Sequence, residues 1–155
     1  MSRAFVKESD GDDGGEALPE KAVSPHRNLV TAEGLDHIEA QIRHWREAAT
    51  SARGQADRAT MALAARELRY WSARRATAEL VPTRPATEVV RFGSRVTLGR
   101  ADGSTVAFRI VGEDEADPAL GKISWVAPVA RSVLGRSAGE SVVFQEQTAE
   151  IRAID

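Results

Sequence analysis

The sequence contains no cysteine, a single tyrosine, and no apolar run that approaches the length of a membrane span. Without cysteine there are no disulfides, no thiolate nucleophile and no zinc site built on sulfur, which fits a reducing compartment. The N-terminus, MSRAFVKESDGDDGG, lacks the apolar stretch of a signal peptide, so the expected location is the cytoplasm, with no membrane partner. Also missing are a nucleophile motif, a phosphate-binding Walker loop and a dinucleotide-type glycine fingerprint that follows a strand. The chain is therefore expected not to be an enzyme itself and to carry no cofactor. Its three histidines, His26, His37 and His44, do not make a metal site. His37 and His44 are i, i+7 on one helical face, too far apart for one ion, and both are expected to face solvent.

What is present is an uneven charge. The whole chain of 155 residues carries −2, but residues 1–21 sum to −3, residues 43–75 to +5 and residues 86–155 to −2. The basic stretch holds eight arginines against Glu47, Asp57 and Glu67. Arginines on the outside of a helical rod are ordinary, and they also attract nucleic-acid phosphate. Charge alone leaves both readings open.

The pattern divides the chain into three. Residues 1–28 are acidic, rich in Gly and Pro and without apolar periodicity, so they are expected to be a disordered tail. In residues 29–82, Thr31 is a candidate N-cap, and Leu35, Ile38, Ile42, Trp45, Ala49 and Ala52 recur at steps of 3 and 4. After Gly54 the same spacing returns in Met61, Ala64, Leu68, Trp71, Arg75 and Ala78, and the second helix is expected to run to Val81-Pro82. Two amphipathic helices with a short glycine-bearing connection bury their seams on each other as an antiparallel hairpin. Arms of about 22 residues reach roughly 33 Å. Trp45 and Trp71 fall on the seam and are read as packing residues, not as base-stacking platforms.

Residues 83–155 read as extended. Val89–Leu98, Thr105–Val111 and Lys122–Val126 are strand candidates punctuated by Asp102-Gly103 and Asp117-Pro118. Pro128 opens a short helix whose apolar face is Val129, Val133 and Leu134, ended by Gly135 or Gly139. Alternation resumes at Ser141–Gln145 and Glu150–Ile154. The expected class is α+β: an N-terminal helical hairpin of coiled-coil type, then a small antiparallel sheet carrying one helix. The acidic run Glu113–Asp117 lacks the glycine and distal glutamate of a calcium loop and is read as solvated.

Phe108-Arg109-Ile110-Val111-Gly112-Glu113-Asp114-Glu115-Ala116-Asp117, then Ile123-Ser124-Trp125-Val126-Ala127-Pro128-Val129-Ala130-Arg131, then Gly139-Glu140, resemble the C-terminal domain of Gre-type bacterial transcription elongation factors. The likeness covers residues 89–155, and the upstream hairpin fits the same architecture by shape. It implies an FKBP-like fold for the C-terminal domain and RNA polymerase as partner, with that domain on the rim of the polymerase secondary channel and the hairpin entering it. On this resemblance Trp125, Pro128, Val129 and Arg131 dock on polymerase, and Gln55, Asp57, Arg58 and Thr60 form the hairpin tip. Arg53, Arg58, Arg66 and Arg69 would face nascent RNA or DNA, and the protein would work as a monomer.

In that family, acidic tip residues help the polymerase hold a second Mg²⁺ and cut backtracked RNA, because a hard cation needs carboxylate oxygen. Here Asp57 alone keeps that chemistry, Thr60 stands where a glutamate is usual, and Arg58 adds positive charge. No resident metal is expected, and Asp57 is at most a partial Mg²⁺ ligand within a complex. The reading is a regulator of elongation that docks without stimulating cleavage. The alternative is a regulator of another protein, of the kind described for regulators of nucleoside diphosphate kinase. An FKBP-like isomerase is disfavoured by the few aromatics available beside Trp125: Phe92, Phe108 and Phe144.

Overall fold

A computed structural model describes residues 18–85 and 88–155. The expected acidic tail falls largely on residues 1–17, outside the described residues. Its last part, residues 18–28, lies against the second helix of the hairpin, where Lys21 reaches Glu67 and Glu20 reaches Arg69.

The hairpin is α1 (Ala32–Gly54) and α2 (Arg58–Ala76). Thr31 caps α1, its hydroxyl accepting from the Gly34 N–H at 2.9 Å. Asp57 caps α2 by accepting from the Thr60 N–H at 3.1 Å. Each cap satisfies one of the amide donors that a helix start leaves without a partner. Ile38, Ile42 and Trp71 are buried with Val30, and Leu35, Trp45 and Leu68 close around them, so both tryptophans serve packing. The exposed rings of His37 and His44 pack T-shaped against indoles, of Trp71 at 5.5 Å and of Trp45 at 4.9 Å between centroids.

Three features of the hairpin differ from the sequence expectation. Gly54 stays helical, and the left-handed turn residue is Ala56, at φ +55°. The second helix ends at Ala76 instead of Val81. Asn28 supplies the stop, since its side-chain amide donates to the Arg74 carbonyl at 2.7 Å and takes up an acceptor the helix leaves open. The chain then forms β2 (Ala78–Leu80), parallel to β1 (Asn28–Val30). Finally, Arg75 is not on the seam; it is exposed and reaches across to Glu39 at 2.8 Å. The arginine that turns inward is Arg74, 1% exposed.

The C-terminal domain is a five-stranded sheet of β3 (Arg95–Arg100), β4 (Thr105–Val111), β5 (Lys122–Ser124), β6 (Ser141–Phe144) and β7 (Gln147–Ile154), in the order β5-β4-β3-β7-β6. Helix α3 (Pro128–Val133) lies on it, opened by Pro128 as expected. Val96, Leu98, Phe108, Ile110, Ile151, Ala130 and Val133 make the core. The sheet is mixed, not purely antiparallel, because β5 runs parallel to β4. Two 3-10 turns, Glu113–Glu115 and Pro118–Leu120, carry the chain back to the start of its neighbour and impose that direction. The first long strand starts at Arg95; Val89 lies outside it and forms an isolated bridge to Ser137. Among the described residues no helix is long and apolar enough to cross a membrane.

Candidate functional site: a carboxylate-clasped arm

The acidic run read as a solvated loop is the joint between arm and domain. Asp114 accepts from Arg74 and from the Tyr70 hydroxyl, and Glu113 lies 3.7 Å from the same guanidinium. Glu115 accepts from the Thr31 hydroxyl and, at 3.2 Å, from the Lys122 ammonium, which also reaches Glu33 of α1 at 3.3 Å. Arg109 adds two 3.3 Å contacts to Glu33. Asp114 and Glu115 are drawn in because each meets donors fixed on a rigid element, while Glu113 has only the Arg74 charge beside it; charges leave water only when so paired. Gly112 makes the approach possible, since a Cβ there would lie 2.5 Å from the Leu29 carbonyl oxygen.

The electrostatics follow this geometry. Hydrogen bonding to Lys122, with the Arg109 charge beside it, holds the Glu33 carboxyl below the usual range. The Lys122 ammonium is pushed up, chiefly by its bond to Glu115. Burial, then the bond donated to Asp114, raises the Tyr70 phenol well above its ordinary value. All these contacts come from the base of the arm, leaving its far end exposed.

At that end Gln55, Asp57 and Arg58 are exposed and Thr60 is half-buried. Asp57 is the one carboxylate between Glu47 and Glu67. Its carboxyl is lowered by hydrogen bonding to Thr60, side chain first and backbone second, so part of its acceptor capacity serves the cap. Of the arginines expected to face nucleic acid, Arg53 and Arg58 are exposed and make no ion pair among the described residues. Arg66 bonds Glu67 at 3.0 Å, and Arg69 holds Glu20 through two nitrogens. The expected docking residues gather around the start of α3. Pro128 and Arg131 are exposed, and Val129 packs on the core. Trp125 is half-buried against the same core, with His26 edge-on at 6.2 Å and its indole N–H without a partner among the described residues.

Sequence reasoning missed Arg74 and Tyr70. One signal was present: Glu67 and Arg74 continue the 3 and 4 spacing of Ala64 and Trp71, placing two charges on the buried face.

The fold and its joint define a class, a two-helix arm clasped by carboxylates to a small curled α+β module. Residues 85–154 match the family described as transcription elongation factor, GreA/GreB, C-terminal. Residues 85–154 are thus similar to the C-terminal domain of GreA/GreB factors. The chain is 42% identical over 86 residues to transcription elongation factor GreA of Anaeromyxobacter sp. (strain K), which covers 54% of this chain and 50% of the relative. Transcription elongation factor GreB of Neisseria meningitidis serogroup A is 41% identical over 81 residues, 51% and 50% of the two chains. The chain spans about half the length of these curated relatives. Among solved structures, GreA factor homolog 1 of Thermus thermophilus covers 84% of this chain and 99% of its own at 18% identity, with a TM-score of 0.40. A GreA/GreB factor from Nitrosomonas europaea covers 81% and 97%, also at 18% identity and TM-score 0.40.

Proposed function

We propose that this protein regulates transcription elongation by docking on bacterial RNA polymerase and presenting its arm to the secondary channel, without stimulating transcript cleavage. The observation that carries the reading is the Gre-type stretch Phe108–Arg131, whose acidic part grips the base of an arm with an exposed tip. The surface around Trp125, Pro128, Val129 and Arg131 is the docking face. The tip of Gln55, Asp57, Arg58 and Thr60 enters the channel, and Arg53 and Arg58 are placed to meet nucleic acid. One carboxylate beside an arginine is a poor holder for a second divalent cation, which favours occupancy over catalysis. The active form is a monomer, and the cytoplasm is its place of action.

Retention of the full chain by purified RNA polymerase tests docking. Arg131→Glu, an exposed charge reversal, is expected to weaken retention without changing the fold. Retention of a different protein from lysate, with polymerase lost, would favour the alternative regulator. Stalled, backtracked elongation complexes test the second half: transcript shortening that requires this protein and Asp57 would overturn the non-cleaving reading.

A further inference from the structure

We propose that residues 18–27 form an autoinhibitory strap, which occupies the arginine face of α2 and competes there with nucleic-acid phosphate. This rests on the reading of the arm arginines as a phosphate surface, and not on docking to polymerase.

The strap is anchored at points along its path. The Glu20 carboxylate accepts from Arg69 Nε at 3.1 Å and from Nη2 at 2.5 Å. That fork is the geometry by which a guanidinium also takes phosphate, so the carboxylate sits where a phosphate would. Lys21 donates to Glu67 at 3.0 Å, with its ammonium 4.3 Å from the Tyr70 ring centroid and 5.2 Å from that of Trp71. Further on, His26 meets Trp125 and Arg27 pairs with Glu79, before the chain enters β1. The strap therefore runs along the C-terminal half of α2 with its far end fixed in a strand pair.

What holds the strap matters as much as where it lies. Its apolar side chains Leu18 and Val23 are 37% and 45% exposed, so little hydrophobic area ties it down. Charge and ring contacts do the holding: the Lys21–Glu67 pair is partly buried, whereas the Glu20–Arg69 pair is exposed, and exposed ion pairs are individually weak and fade with salt. A competing anion can replace Glu20 without disturbing the core. The covalent tether keeps Glu20 at high local concentration over Arg69, so a free oligonucleotide must compete with an intramolecular ligand. The sequence just before the strap adds Glu8, Asp10, Asp12, Asp13 and Glu16 against Arg3 and Lys7, further charge that repels phosphate.

The test uses the full chain and a short labelled single-stranded RNA at low ionic strength, read by fluorescence anisotropy. Glu20→Gln is expected to tighten binding by roughly two- to fivefold, the fold-change matching one exposed ion pair, and the gain should shrink as salt is added. Glu47→Gln is the control. It removes the same charge from an exposed position with no ion pair among the described residues, and should gain less. Trypsin cleavage after Lys21 should quicken in Glu20→Gln, and adding Arg69→Ala should cancel the gain in RNA affinity. Equal gains from the two Glu→Gln variants would overturn the proposal, as would faster cleavage with unchanged affinity. A chain that polymerase retains but that ignores RNA in every variant would also overturn it, and would leave docking standing.

Discussion

Arg74, near the end of the second arm and 1% exposed, gives its guanidinium to Asp114 in the loop that follows β4. The pair joins two units that are 40 positions apart in the chain. Removing one partner of a buried ion pair leaves the other charge in a poor environment, which costs about 3 kcal/mol or more. Arg74→Ala is therefore expected to lower stability by about that amount in chemical denaturation. The double variant Arg74→Ala/Asp114→Ala should cost less than the sum of the single changes, because the Asp114 carboxylate is no longer left without its guanidinium. Additive costs would mean that the two groups do not act as a pair.

The same joint sets a pH window. Glu33 titrates below its ordinary value in the folded chain, so its contribution is present above about pH 4.3 and is lost as pH falls through its lowered value. Tyr70 and Lys122 titrate above theirs. Their contributions are complete below about pH 10 and are lost as pH rises toward the raised values. Urea midpoints should form a plateau from about pH 5 to about pH 10 and fall on both sides. Tyr70→Phe removes the donor to Asp114; it should lower the plateau and flatten the alkaline limb, leaving the part due to Lys122. An alkaline limb identical to the parent's would exclude Tyr70 from the linkage.

Gly112 marks how closely the two units approach. Its φ of −67° suits any residue, so the requirement is space: a methyl would meet the Leu29 carbonyl at 2.5 Å, and backbone does not yield like a side-chain tip. Gly112→Ala should destabilise by about 1 to 3 kcal/mol through overpacking. It should also speed hydrogen exchange in β1, Thr31 and the 113–115 turn more than in β3 or β7. Uniform loosening of both units would place the effect elsewhere.

Much of this architecture was legible because local rules and tertiary structure agreed. Asp102-Gly103 predicts a turn, and Gly103 there takes φ +85° between β3 and β4. Pro128 predicts a helix start and provides one, and the apolar spacing from Leu35 to Ala52 gives the buried face of α1. One miss is local, and the others depend on a partner distant in sequence. The turn between β6 and β7 uses Gln145 and Glu146, both at positive φ, with neither glycine nor asparagine to announce it. Asn28 stops a helix 46 residues away. The loop at 113–115 reads as solvated until Arg74, Tyr70 and Thr31 are set opposite it. The tip and the docking face were read by resemblance, and their geometry gives the roles a place without assigning them.

Asp57 offers a clean separation of scaffold from chemistry at the tip. Its carboxylate caps α2 through the Thr60 N–H, and asparagine caps about as well as aspartate while carrying no charge. Asp57→Asn should leave stability within a few tenths of a kcal/mol of the parent, whereas Asp57→Ala should cost about 1 kcal/mol by losing the cap. If the residue serves only as a cap, elongation assays with polymerase will treat Asp57→Asn as the parent and show a defect, if any, in Asp57→Ala alone. If its charge contacts a cation inside the polymerase, Asp57→Asn will lose the effect at full stability. Stability and transcription measured on the same two variants thus divide the two roles.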